Sequence, residues 1–228
     1  MKKLLFVSLI LMSHSLLALD IKGEWFRFKE GEIEKITITE EVFRIATLDT
    51  NYSELSAKEF RIESVIKRKK ENALLLFIRK EDRKTGFGCL RLLNINKGVS
   101  LEFGTHQVIY DKDMDVLIQK ATKRALPKNG FLFFSNETIE GFKSKKSLSD
   151  LSKEEFMEFG ETYCALIADR ITDFDNSYSP LELMGNTFIT VLFEMNYNPV
   201  YDNIFMEVDK VTEKYDASEA INFNRCGQ

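Results

Sequence analysis

The sequence predicts an α+β protein in which an N-terminal antiparallel β-meander, closed as a barrel or folded as a sandwich, precedes a C-terminal helical bundle. Three observations lead there. Apolar residues recur with a period of two from Gly23 to about Thr122. From Leu148 onward the period becomes helical, and helix-start signals appear. The composition, 44% hydrophobic with 19 Phe and only 3 Pro in 228 residues, is that of a chain that buries a core, not of a disordered one.

The chain divides into a leader at 1–18, a β-barrel-like domain at 19–126, a hinge at 127–147 and a helical domain at 148–228. Met1-Lys2-Lys3 is a short basic start, Leu4 to Met12 is apolar apart from Ser8, and Ala18 offers a small residue at a cleavage point. That is the layout of a secretory signal, and the apolar run is too short to span a bilayer. A mature protein starting near Leu19, periplasmic or secreted, is expected. No later stretch is long or apolar enough to cross a membrane.

In the β half, Ile36 and Ile38, Phe43 and Ile45, Phe60 and Ile62, then Val99, Leu101 and Phe103 each sit one polar residue apart. Turn signals such as Asp49-Thr50-Asn51, Glu71-Asn72 and Asn96-Lys97-Gly98 separate the runs. Eight or nine short strands at roughly ten-residue spacing make a meander whose simplest stable form is a closed or nearly closed barrel. Ala73 to Ile78 is continuously apolar, which fits a strand buried on both faces or an edge covered by the second half. Met114 to Leu126 fits a last strand through Met114, Val116 and Ile118, or a helix through Met114, Leu117, Ile118, Ala121 and Ala125; the strand is preferred. Pro127 to Gly130 is a turn, and Phe131-Leu132-Phe133-Phe134 is read as part of the hinge.

In the helical half, Ser152-Lys153-Glu154-Glu155 has the capping-box form. Behind it Phe156, Phe159, Tyr163, Cys164, Ile167 and Ile171 fall on one face. Ser179-Pro180 starts a second helix with Leu181, Met184, Phe188, Leu192 and Met195 inward, and Asn198-Pro199 a third with Ile204, Val208, Val211 and Tyr215 inward. Three such helices bury their stripes only by packing together.

Catalytic and metal chemistry finds little support, so no enzyme, cofactor or metal is expected. With His14 removed in the leader, His106 is the one mature histidine, set in Gly104-Thr105-His106 where one strand is expected to end and the next to begin. Asp111, Asp113 and Asp115 have the spacing of the first calcium ligands, as do Asp173, Asp175 and Ser177. Both runs lack the Gly at the sixth position and the Glu at the twelfth that a calcium loop requires. Lys84-Thr85-Gly86 is a hairpin turn, not a phosphate loop, and Lys67 to Lys70 a solvated hairpin end. Of the three cysteines, Cys89 is read as a buried small hydrophobe. Cys164 and Cys226 are the natural disulfide pair in an oxidising compartment.

Charge is uneven. Residues 145–228 carry 16 Asp and Glu against 7 Lys and Arg, while the rest of the chain carries 20 against 25. An acidic helical half suits a basic partner surface. The loop residues Asp173, Asp175, Asn176 and Tyr178 are the candidate partner-binding positions, with Tyr178 as an aromatic anchor. The acidic sequence pI argues against nucleic acid.

Ile21-Lys22-Gly23-Glu24-Trp25, on the first strand after a leader, resembles the G-x-W opening of lipocalin-like barrels. The resemblance implies a barrel with Trp25 as a plug at its closed end under a basic side chain of the last strand, Arg124 or Lys123, and a carrier of a small apolar ligand as one function. The features Tyr163-Cys164-Ala165-Leu166, Asn198-Pro199-Val200-Tyr201, Val208-Asp209-Lys210 with Tyr215, and Arg225-Cys226 resemble the periplasmic immunity proteins of type VI secretion amidase effectors. Those lack a β half. This second resemblance implies an inhibitor that covers a secreted toxin's active site, and it is the preferred expectation: an exported, non-catalytic recognition protein with a protein partner.

Overall fold

A computed structural model describes residues 21–29, 31–79, 86–96, 98–126, 130–172, 180–200, 204–216 and 226. Eight strands, β1 (Gly23–Lys29), β2 (Glu32–Ile38), β3 (Val42–Leu48), β4 (Glu54–Arg68), β5 (Ala73–Arg79), β6 (Phe87–Asn96), β7 (Ser100–Asp111) and β8 (Phe131–Ser135), form a closed barrel in sequence order. Every pairing is antiparallel, and β8 closes on β1 through Trp25 opposite Ser135 and Phe26 opposite Phe134. The fold is thus the α+β arrangement expected, with a barrel and not a sandwich. Closure removes the free edges that would otherwise recruit another chain over most of its circumference.

The period-two pattern sets which side chains fill the barrel. Trp25, Ile36, Ile38, Phe43, Leu74, Leu76, Leu92, Leu101, Phe103 and Phe133 point inward and are buried together. Phe43 and Phe103 meet at 5.7 Å between ring centres, and Phe103 meets Phe133 edge-on at 6.4 Å. A side chain of this size contributes roughly 2 kcal/mol when fully buried.

Met114–Lys123 is helix α1, not the strand preferred from the sequence. Asp113 takes the cap, its carboxylate accepting from the backbone N–H of Asp115 and Val116. Leu117 and Ala121 then pack on Leu75, Phe77 and Cys89, the outward residues of β5 and β6. This explains the unbroken apolar run of β5: Leu74, Leu76 and Ile78 face the interior while Leu75 and Phe77 lie under α1. The cover comes from within the β-rich part of the chain, not from the C-terminal helices. Val116, which the strand reading put on the same side as Met114 and Ile118, is exposed.

The segment read as a hinge holds β8 and helix α2 (Asn136–Phe142), capped by Ser135. Phe131 and Phe133 complete the interior, and Phe134 on the outside meets Phe142 of α2 and Phe193 at 5.0 Å each. His106 lies inside β7, not at a strand end. Cys89 pairs with Ile109 and Arg91 with Gly104, a register shift that accommodates the intervening residues of β7 without a turn.

Helices α3 (Lys153–Thr172), α4 (Pro180–Glu194) and α5 (Ile204–Tyr215) follow. The capping box is formed in both directions: the Ser152 N–H donates to Glu155 Oε2 at 2.9 Å, and the Glu155 N–H donates to Ser152 Oγ at 3.2 Å. Phe156, Phe159, Tyr163, Ile167, Phe188, Val191, Leu192, Val208 and Val211 make a second core, with the Tyr163 and Phe188 rings stacked at 4.1 Å. Asn198 accepts from the Val200 N–H, a turn before the described start of α5 at Ile204. Ile189 and Phe193 of α4 and Ile139 of α2 cover Phe26, Ile33, Ala46 and Leu48, the outward residues of β1 to β3. Barrel and bundle therefore share a hydrophobic interface. No described helix is long and apolar enough to cross a membrane.

Candidate partner-binding surfaces

The loop positions Asp173, Asp175, Asn176 and Tyr178 lie outside the described residues. Cys164 and Cys226 are bonded, their Cα atoms 4.7 Å apart. Cys89 is the free cysteine, wholly buried, and burial pushes its thiol up to about 12. Its thiolate is therefore scarce at neutral pH.

Trp25 sits in the barrel interior, where its indole N–H donates to the Ile21 carbonyl at 2.9 Å. Arg124 belongs to no strand: it ends α1 on the solvent side, and its carbonyl accepts from Arg68 at 3.0 Å. The basic group that lies over an aromatic ring inside the barrel is Arg27, two residues after Trp25 on the same face of β1. Its guanidinium carbon is 3.7 Å from the Phe131 ring centre, and it pairs with Glu34 at 3.0 Å. Lys29 reaches the other oxygen of Glu34 at 2.6 Å.

A second buried polar group joins barrel and bundle. Glu102 on β7 accepts from the Gly130 N–H at 2.8 Å and from the Asn94 side chain at 2.5 Å, and Asn186 of α4 donates to the Gly130 carbonyl at 3.4 Å. A Cβ on Gly130 would stand 2.6 Å from the Phe103 carbonyl oxygen, so only glycine fits at this approach. The sequence pattern Leu101-Glu102-Phe103 marks Glu102 as an ordinary outward residue, and nothing local shows that it is buried. These contacts tie the bundle to the barrel.

The aspartates with calcium-like spacing are occupied locally. Asp111 is held below the usual carboxylate range first by Lys120, 2.5 Å away, and then by the Asp113 N–H. Asp113 caps α1. Among the described residues, no three His, Cys, Asp or Glu side chains gather as a metal set.

Two surfaces among the described residues stand out. The first is the outer face of α3. Its inward residues are fixed by the core, which leaves Glu154, Glu158, Glu161 and Asp169 exposed in one stripe at helical spacing. Neighbouring Glu155 turns aside to Lys146 at 2.8 Å; Glu154, Glu158 and Glu161 enter no ion pair among the described residues. The stripe rides on a helix fixed by its capping box, by the stacked Tyr163 and by the bond from Cys164.

The second surface lies where β3 turns into β4. Asp49 builds this turn: its carboxylate accepts from the Asn51 N–H at 2.9 Å and the Ser53 N–H at 2.8 Å, and its carbonyl accepts from the Tyr52 N–H at 3.0 Å. The result holds Tyr52 at φ 65°, a conformation costly for an aromatic residue. Its ring leans edge-on against Phe26 at 6.5 Å yet stays 56% exposed, and Leu55 beside it is 59% exposed. Beyond them β4 pairs with β3 from Glu54 to Arg61, but with β5 only from Arg61 to Arg68. Residues 54–60 thus have a strand on one side and none among the described residues on the other.

No family model, no curated protein and no solved structure matches the chain.

Proposed function

We propose that this protein is an exported, non-catalytic recognition protein that binds the basic surface of a protein partner, in the manner of an immunity-type inhibitor blocking a periplasmic toxin or enzyme. The observation that carries the reading is the α3 stripe. Glu154, Glu158 and Glu161 present exposed carboxylates that enter no ion pair among the described residues, on a helix already formed without a partner. Charge placed that way speeds encounter and rejects acidic competitors, and it costs little ordering entropy on binding. Residues 1–18, with their secretory layout, support export.

The barrel acts as the scaffold of this reading. Its interior is occupied by Trp25, Phe43, Phe103, Phe133 and their aliphatic neighbours, so no observation favours the carrier of a small apolar ligand.

Directing candidate toxins to the periplasm of cells that express the protein tests the proposal. Wild type protects the cells and retains the toxin in pull-down at low salt, with retention falling as salt rises. The triple variant Glu154→Lys, Glu158→Lys, Glu161→Lys keeps its helical signal and loses both protection and retention. Should wild type protect no cell and retain no toxin, the reading fails. Should the triple variant bind as well as wild type, α3 is not the contact surface.

A further inference from the structure

We infer that Asn51 is an acceptor for N-linked glycosylation, in a site made by the turn Asp49-Thr50-Asn51-Tyr52-Ser53. The inference goes beyond the α3 reading and rests on one part of it, export, because N-linked sugars are added to secreted chains. An asparagine two residues before Ser or Thr, with any residue but Pro between, is the acceptor triplet. The sequence holds two, Asn51-Tyr52-Ser53 and Asn136-Glu137-Thr138. Such triplets arise often by chance, and their place in the fold separates them.

Asn136 opens helix α2, and the Thr138 hydroxyl beside it is committed. It donates to the Val99 carbonyl at 3.1 Å and meets the Ser135 hydroxyl at 2.8 Å. A transferase that grips this hydroxyl has to undo the start of the helix. Asn51 differs in each respect. Thr50, Asn51, Tyr52 and Ser53 are exposed on the turn between β3 and β4. Among the described residues, the Asn51 side-chain amide and the Ser53 hydroxyl make no hydrogen bond; only their backbone N–H groups do.

Asp49 serves this site with both of its oxygens. Oδ1 accepts the Asn51 N–H at 2.9 Å and the Ser53 N–H at 2.8 Å, so the backbone of the triplet is held bent while its two reactive side chains stay untied. Oδ2 takes no hydrogen bond and no cation among the described residues, which leaves a carboxylate oxygen two positions ahead of the acceptor, open to a charge-assisted hydrogen bond from a cationic group of the transferase. The same position before Asn136 is Phe134, which is buried. The surroundings also suit a sugar. Tyr52 and Leu55 are two of the four large hydrophobic side chains exposed among the described residues, and a glycan on the residue directly before Tyr52 sets a bulky, solubilising group beside them.

The co-substrate is a lipid-diphosphate-linked oligosaccharide. The side-chain nitrogen of Asn51 forms a bond to the anomeric carbon of the first sugar. The bond from that carbon to the diphosphate oxygen breaks, the lipid diphosphate leaves with the electron pair, and the nitrogen gives one proton to a base of the transferase. Nothing is oxidised or reduced.

Two arms test the assignment. In the first, the folded, unglycosylated protein is incubated with a purified bacterial oligosaccharyltransferase and a lipid-diphosphate-linked oligosaccharide, and its intact mass is followed. The mass rises by one glycan, which peptide mapping places on Asn51. Asn51→Gln and Ser53→Ala abolish the rise while keeping the wild-type far-ultraviolet spectrum, and Asn136→Gln leaves the rise unchanged. Asp49→Asn, which keeps an oxygen for the turn, slows the transfer about tenfold, the worth of one charge-assisted hydrogen bond. In the second arm, cells that carry the transferase and its co-substrate express the full chain, and the exported protein carries the same glycan. No mass rise in the first arm, or a glycan on Asn136 in place of Asn51, overturns the inference. An undiminished rate in Asp49→Asn overturns the role given to Asp49. In the second arm, loss of residues 1–18 without a glycan overturns the inference and spares export, whereas retention of residues 1–18 after success in the first arm refutes export and upholds the acceptor site.

Discussion

Breaking the bond between Cys164 and Cys226 should destabilise the helical half before the barrel, by an amount that follows from loop length. The two residues are 62 apart, and the bond ties the end of the chain to the middle of α3. On the chain-entropy model a loop of that size removes about 14 cal/mol/K from the unfolded ensemble, or about 4 kcal/mol at 25 °C. For a chain of 150 to 250 residues that corresponds to a fall of roughly 8 to 16 °C in Tm. The effect should be local. Within the loop α4 and α5 supply Phe188, Leu192, Val208 and Val211 to the second core, and Tyr215 donates to the Leu151 carbonyl. The barrel core contains none of these residues. Trp25 is the one tryptophan and is buried in the barrel, so its emission reports the barrel, while ellipticity at 222 nm reports chiefly the helices. In the double variant Cys164→Ala, Cys226→Ala, the 222 nm transition should move down by the amount above and precede the Trp25 transition. If both signals melt together at the wild-type temperature, the bond does not constrain the unfolded chain and the reasoning is wrong.

Asp113→Ala removes the cap of α1 and should cost about 1 kcal/mol, read as a lower urea midpoint at constant m. Arg27→Met leaves Glu34 with Lys29 alone and takes a cation from the Phe131 ring, a loss of about 3 kcal/mol in the same assay; an unchanged midpoint would show the buried pair to be replaceable by packing. Cys89 should not react with a thiol reagent in the native protein and should yield one equivalent on unfolding without reductant. Burial raises its pKa from 9.0 to about 12, so its contribution to stability is whole below pH 9 and is lost as pH climbs from there toward 12. Urea midpoints across that range should fall, and Cys89→Ser should flatten the decline.

What the sequence made legible was what local rules determine. Ser152 and Glu155 announce a helix start because both partners of the capping box lie within four residues. The inward rows of β2 and β3 stand out because one face of each strand is apolar and the other is mixed. Phe131 to Phe134 hid its strand because both of its faces are covered: Phe131 and Phe133 by the barrel interior, Phe134 by α2 and α4. A strand buried on two sides has no alternation to read. The preference for a strand at Met114 failed for a related reason. The same apolar residues satisfy both periods, and the deciding group, Asp113, has the spacing of a calcium ligand but serves as a cap. The candidate surfaces divide along the same line. The acidic excess of the helical half was visible as a count, and helical spacing turns it into a stripe. That β5 pairs with β4 only from Arg61 onward among the described residues was not visible at all, because the extent of pairing is a property of the neighbour's register, and Glu54 to Phe60 look the same whether or not β5 reaches them.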